Sequence, residues 1–289
     1  LKLPRFPRFD YEGAKMPRIV LSLLLLSLFL CAQPVVARET GFLNRTVTVG
    51  STTYRYQVYV PANYDPHKKL PVILYLHGLS YGGDDGYLPT EVGVGSGIRR
   101  GNASFPAIAV FPQCRLGTAW TGDMETQAMK ALDESIKEFN GDSERLYLIG
   151  LSFGGFGAWY FGAHHPGKFA ALVEISGAIT PYPNTPVSPF KPAYEAIAKS
   201  SDPYVAFARL IGKTPVWVFH GAVDTVVPVN DDRKMVEALK AEGGNVKYTE
   251  YPAVGHGHAG PLPAYTSEVD KGQTDPDFIA WLFAQRRAK

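Results

Sequence analysis

From residue 44 onward the apolar positions follow two regimes. Asn44 to Val49 and Thr52 to Val60 alternate polar with apolar residues, rich in Val, Thr and Tyr, around Gly50-Ser51. This pattern predicts an antiparallel hairpin. Beyond it, short and mostly apolar runs recur at Val72 to Leu76, Ala107 to Phe111, Leu146 to Ile149, Ala171 to Ile175, Val216 to Phe219 and Val246 to Tyr251. Runs of this length and composition predict strands covered on both faces. Amphipathic stretches lie between them. Met124 to Phe139 places Met124, Ala128, Ala131, Leu132, Ile136 and Phe139 on one stripe, with Asp123 as the predicted N-cap. Phe153 to His165 can form a helix despite its glycines, Arg233 to Ala241 stops at Gly243-Gly244, and Pro276 to Gln285 begins behind Asp275. Strands alternating with helices predict an α/β fold: a mostly parallel sheet with helices on both faces, preceded by the hairpin.

One stretch breaks the alternation. Five of the twelve residues from Pro181 to Pro192 are proline, which excludes regular helix or central strand. With Ala193 to Lys213, helical in part, it reads either as a cap over the carboxyl edge of the sheet, spanning about residues 178–213, or as a solvated loop excursion.

The N-terminal segment has a different character. Ile19 to Cys31 is an apolar run broken only by Ser22 and Ser27, preceded by Lys15 and Arg18 and followed by Gln33, Pro34 and Val35-Val36-Ala37. Basic, apolar and small-residue regions in that order predict a secretory signal peptide cleaved after Ala37. Thirteen residues of helix span about 20 Å, short of a ~30 Å hydrocarbon core, which argues against a retained anchor. The expected organisation is therefore an upstream segment and signal peptide over residues 1–37, then one catalytic domain over 38–289. The expected location is secreted or periplasmic, without stable membrane insertion after cleavage. The formal net charge of +2 gives no electrostatic reason to expect nucleic acid, and Cys31 and Cys114 are too few for a disulfide framework or a cysteine-rich zinc module.

Gly150-Leu151-Ser152-Phe153-Gly154 is a G-x-S-x-G pentapeptide, and context gives it meaning. It directly follows an apolar strand and directly precedes a potential helix, the order a nucleophile elbow requires. A serine at the tip of a strained turn projects its hydroxyl only if small residues two positions away on either side let strand and helix approach. Gly150 and Gly154 meet that demand. A hydroxyl is a poor nucleophile at neutral pH, so a base must lie near it, and histidine titrates in the right range. Of the seven histidines, His67, His164 and His165 read as surface residues, and His77 and His220 end apolar strands. His256 and His258 remain, in the Gly-rich loop after the last strand. An acid that orients the base is expected from the loop after the preceding strand, where His220-Gly221-Ala222-Val223-Asp224 supplies Asp224. The second requirement is an oxyanion hole of two backbone N–H donors. Phe153, after the nucleophile, gives one, and the loop His77-Gly78-Leu79-Ser80-Tyr81-Gly82-Gly83 gives the other, assigned to Leu79 ahead of Gly78.

These residues, in this order and spacing, resemble the α/β-hydrolase superfamily. Within it the chain is similar to secreted esterases of the polyhydroxybutyrate-depolymerase and feruloyl-esterase type and to related peptidases. Phe111-Pro112-Gln113-Cys114 followed by Trp120, and the glycine-rich run from Gly150 to Gly157, add to the likeness. The resemblance covers roughly residues 44 to 285. It implies the fold and a Ser152, Asp224, His256 triad, with Gly255-His256 as the matching pair, and says little about substrate. The second histidine at 258 departs from the pattern and stands as a rival base.

Other readings of single residues stay more modest. His256-x-His258 with His77 or His220 imitates a metal cluster, but no acidic group lies nearby at ligand spacing, so no metal is expected. Asp84-Asp85 reads as a turn and helix cap rather than a calcium site. Trp120 and Tyr81 are candidate substrate-binding residues, with packing in the core or rim as the alternative for Trp120. Cys114 reads as a buried apolar filler. The expected function is a secreted serine carboxylic-ester hydrolase working without a cofactor on a small or polymer-linked ester. A serine peptidase on the same scaffold and a non-catalytic binding protein are the alternatives, and the oligomeric state is left open.

Overall fold

The computed structural model describes residues 39–101, 105–179, 200–256 and 277–287. The signal-peptide expectation, the whole proline-rich segment from Pro181 to Pro192, His258 and the start of the last helix lie outside these residues. Eight strands form one sheet in the order β1-β2-β4-β3-β5-β6-β7-β8. They are β1 (Gly41–Val49), β2 (Thr52–Val60), β3 (Leu70–Leu76), β4 (Ile108–Pro112), β5 (Gly141–Leu151), β6 (Ala171–Ile175), β7 (Val216–Gly221) and β8 (Val246–Tyr251). The β1–β2 hairpin closes at Val49 opposite Thr52, and β2 runs antiparallel to β4. Every other pairing is parallel.

Side-chain alternation along the strands divides the core in two. Leu74, Leu148, Leu172 and Val218 point to one face, where they meet helices α2 (Asp123–Glu138), α3 (Phe153–His164), α4 (Pro203–Ile211) and α5 (Asn230–Ala241). Ile73, Tyr75, Tyr147, Val173 and Trp217 point to the other, against α1 (Gly93–Gly101) and α6 (Phe278–Ala284). The predicted mostly parallel sheet, covered on both faces and led by an antiparallel hairpin, is what the chain forms.

Three local expectations change. Asp123 is the first residue of α2 rather than its cap; Gly122, at φ 57°, occupies the cap position. Asp123 and Glu125 still face the positive end of the helix dipole. Helix α5 begins at Asn230, about a turn earlier than its apolar pattern suggested. Of the expected cap, the part from residue 200 to 213 contains α4, capped by the Asp202 carboxylate on the N–H groups of Tyr204 and Val205. Phe207, Ala208 and Ile211 bury this helix in the layer beside α3 and α5, so it belongs to the core and not to a lid. Among the described residues no helix is long and apolar enough to cross a membrane.

Candidate active site

The parallel strands deliver their carboxyl ends to one edge, and the residues singled out in the sequence gather there. Ser152 follows β5, Asp224 follows β7 and His256 follows β8. Ser152 sits at φ 54°, ψ −115°, a left-handed conformation that a β-carbon resists, at a cost of roughly 1–3 kcal/mol. Its N–H donates to Ile175 O at 2.7 Å, and its carbonyl accepts from Gly155 and Phe156, so strand and helix hold the turn from both sides. The flanking glycines have a steric reason. A β-carbon on Gly150 would collide with the Gly154 carbonyl, and one on Gly154 would collide with the carbonyl of Leu76.

Ser152 Oγ lies 2.8 Å from His256 Nε2, and His256 Nδ1 lies 2.7 Å from Asp224 Oδ2. Because Asp224 accepts the Nδ1 proton, Nε2 presents its lone pair to the serine hydroxyl. Asp224 is held in turn by the N–H groups of Val226 and Val227, each 2.8 Å from Oδ1. Burial opposes its charge, but hydrogen bonds from His220, His256 and these two amides keep its carboxyl well below the usual carboxylate range. Three side chains distant along the chain thus form one hydrogen-bonded series ending at a hydroxyl.

The loop after β3 meets the same point. A β-carbon on Gly78 would stand 3.6 Å from Ser152 Cβ, which brings the 78–79 backbone against the serine. Gly78 is extended, at φ −71° and ψ 166°, and Leu79 to Tyr81 form one 3-10 turn closed by Tyr81 N–H to Gly78 O at 3.1 Å. His77 fixes this loop. It is fully buried, donates Nδ1–H to Gly78 O at 2.7 Å and accepts the Cys114 N–H at Nε2 at 3.0 Å. Burial lowers its pKa to about 4, so it is a neutral structural imidazole.

Not every expected residue reaches the site in the expected way. Trp120 is fully buried, donates Nε1–H to His77 O at 3.3 Å and packs edge-on against the His77 ring. It is therefore a core support under the loop and not a pocket wall, which corrects its assignment to substrate binding. Helix α3 depends on the same indole, because a β-carbon on Gly157 would press into it. The Phe153 side chain is likewise buried in the core, leaving its backbone at the start of α3 beside Ser152. Tyr81 is half-buried in the turn that Leu79 opens, and Leu79 is exposed.

His67 is exposed, while His164 and His165 face Glu125 at 3.6 and 2.9 Å, away from the edge. Asp85 closes a turn by accepting from Tyr87 and Leu88 N–H, as its sequence context suggested. Cys114 is buried, its thiol pushed up to about 12 by burial. Among the described residues no group of three or more His, Cys, Asp or Glu side chains is arranged to hold a metal ion.

The sequence reading passed over a buried polar cluster behind Asp224. His220, Asp232 and Glu174 are all fully buried. His220 Nδ1 is 2.7 Å from Asp232 Oδ2, and its Nε2 is 2.8 Å from Val227 O and 3.3 Å from Asp224 Oδ2. Glu174 accepts the Gly177 N–H. Burial, followed by the charge of Asp232, raises its carboxyl well above the ordinary range. A carboxylic acid inside the apolar strand Ala171–Ile175 was the one sequence signal of this cluster.

A model of the prolyl oligopeptidase family matches residues 117–281. An uncharacterized secreted protein of Arthroderma benhamiae is 27% identical over 247 residues, covering 78% of this chain and 25% of its own length. Dipeptidyl-peptidase 5 of Porphyromonas gingivalis is 28% identical over 142 residues, covering 42% of this chain and 19% of its own. The chain spans less than half the length of the curated relatives it matches. Among solved structures, a thermostable esterase superposes with a TM-score of 0.65 at 27% identity, over 85% of this chain and 63% of the other. The architecture is that of the α/β-hydrolase superfamily, and with a family model matching more than half of its residues the chain belongs to the prolyl oligopeptidase family.

Proposed function

We propose that the protein is a serine hydrolase that cleaves carboxylic esters through an acyl-enzyme on Ser152. The observation that carries this reading is the pair of contacts at 2.8 Å and 2.7 Å linking Ser152 Oγ, the His256 ring and Asp224. His256 Nε2 takes the Ser152 proton as the oxygen attacks the ester carbonyl. The tetrahedral oxyanion accepts hydrogen bonds from the N–H groups of Phe153 and Leu79, in a turn whose glycine brings it against the serine. Protonated His256 then gives its proton to the leaving alcohol. Water, deprotonated by the same nitrogen, releases the acid and restores the serine. Asp224 stays ionised throughout and stabilises the imidazolium. None of these steps calls for a cofactor. The basic, apolar and small-residue order before residue 38, together with a secreted relative, supports action outside the cytoplasm.

A panel of esters of increasing acyl length, including a hydroxycinnamoyl ester, run on wild type beside Ser152→Ala, His256→Ala and His258→Ala tests the assignment. The first two variants lose nearly all activity and the third changes little. Loss confined to His258→Ala transfers the base to that residue, and full activity in Ser152→Ala removes the reading. Membership of a family described as oligopeptidases supports a second reading, amide cleavage by the same groups. An ester and an amide of one acyl group separate the two: kcat/KM for the amide equal to or above that for the ester makes the protein a peptidase.

A further inference from the structure

Resting on the assignment of Ser152, His256 and Asp224 as the reacting set, we propose that His220 is a buried positioning residue that donates from both ring nitrogens. It clamps Asp224 in register with His256 and is itself anchored by Asp232. Its ring nitrogens face oxygen acceptors on both sides, Asp232 Oδ2 on one, Val227 O and Asp224 Oδ2 on the other. A neutral imidazole carries one N–H, so one nitrogen lone pair would abut an oxygen lone pair. With Asp232 ionised, only the imidazolium satisfies both contacts. All three side chains are closed to solvent, so the charges are not screened by water. Burial by itself lowers the histidine pKa, but the bonds to Asp224 and Asp232 prevail and raise it to about 10.

The clamp is geometric as well as electrostatic. Val227 donates its N–H to Asp224 Oδ1 and offers its carbonyl to His220, so imidazolium, carboxylate and the 224–227 turn close one ring of hydrogen bonds. Asp232, in the first turn of α5, also accepts from Trp159 Nε1 at 3.4 Å. Trp159 belongs to α3, the helix that carries the serine turn, so the network joins the elements bearing the nucleophile and the acid. Hydrogen bonds keep the Asp224 carboxyl below the ordinary range, while burial and the charge of Asp232 raise that of Glu174. The remaining ionisable groups on this side are accounted for. Asp231 accepts from Ile179 N–H and Tyr204 OH, and Glu250 pairs with Arg233. Without the His220 charge, Asp224 draws a proton onto His256 more strongly and has lost one of its two imidazole partners.

The test uses the purified chain and an activated ester. His220→Gln is expected to lower kcat about 10- to 100-fold with KM within twofold, the size of effect that a small misplacement of a reacting group produces. The acid limb of its kcat/KM profile should move up by about one pH unit. Asp232→Asn should act in the same direction. A kcat within twofold of wild type and an unmoved acid limb, in a folded His220→Gln protein, overturns the proposal. Nitrogen-15 correlation spectra of wild type decide the case where the variants fail to fold. One imidazole with both nitrogens protonated, connected to β7 and persisting to about pH 8, supports the clamp, and a neutral His220 at that pH removes it. Ser152→Ala, assayed alongside, separates the two levels of the argument. Activity surviving in Ser152→Ala overturns the catalytic reading and this proposal together, whereas an inactive Ser152→Ala with an unaffected His220→Gln overturns this proposal alone.

Discussion

Replacing Gly150 by alanine adds one methyl group at the point where strand β5 and helix α3 are closest. Its β-carbon would overlap the Gly154 carbonyl and lie 2.8 Å from Ala158 Cβ, whereas carbon atoms rest about 3.5–4.0 Å apart. The obstruction is helix backbone, not a flexible side-chain end, so the turn carrying Ser152 must move by roughly 1 Å to relieve it. Overpacking of this kind costs about 1–3 kcal/mol of stability. A 1 Å displacement of a reacting group costs about 100-fold in rate. Gly255, adjacent to His256, provides the control: among the described residues nothing lies within 4 Å of its hypothetical β-carbon. Urea unfolding and ester turnover measured on Gly150→Ala and Gly255→Ala should therefore diverge, with the first variant losing on both counts and the second within ~0.5 kcal/mol of wild type. Equal behaviour of the two would refute the view that backbone approach at the serine turn, and not chain composition, sets the glycine requirement.

Three further outcomes follow from the structure. Leu79→Pro fits the backbone, since Gly78 is extended and residue 79 opens a 3-10 turn, so the variant should fold normally yet lose about 100- to 1,000-fold in kcat through the missing N–H, while Leu79→Ala keeps its rate. Trp120→Ala should lose about 3–5 kcal/mol in denaturant unfolding because its indole is fully buried, and the variant that stays folded should discriminate among acyl chains as wild type does. His220 has a folded-state pKa raised to about 10 against an unfolded value near ~6.5, so its contribution to stability is fully present below the lower value and is lost as pH rises through the upper one. The urea midpoint of wild type should accordingly fall between about pH 7 and pH 10 more steeply than that of His220→Gln.

The strands were legible because burial on both faces leaves apolar runs in the sequence, and β6 and β8 have the boundaries those runs predicted. The serine turn was legible because its steric demand is written in two glycines. Less could be read where local preference and tertiary contact disagree. Helix α1 contains four glycines in nine residues and breaks every propensity rule, yet it forms. A β-carbon on Gly95 would strike the Thr90 backbone, and Val94 and Ile98 are buried, so packing decides there and not propensity. The first half of β5, from Gly141 to Arg145, is too polar to read as a strand, although Gly141 pairs with Leu70. Trp120 and Phe153 could be placed near the serine from spacing alone, but whether their side chains faced solvent or the core depended on partners elsewhere in the chain. The His220 cluster escaped for a related reason. Its members come from β6, the β7 edge and α5, and only folding brings Asp224 and Asp232 against one imidazole and Glu174 beside Asp232.

The central claim is that Ser152 is a nucleophile activated by His256. Treating the purified protein with a fluorophosphonate and mapping the adduct by mass spectrometry tests it most directly. The account predicts one adduct, on Ser152, formed at a rate that collapses in His256→Ala and accompanied by loss of ester hydrolysis. Absence of an adduct at Ser152 while hydrolysis continues would contradict it.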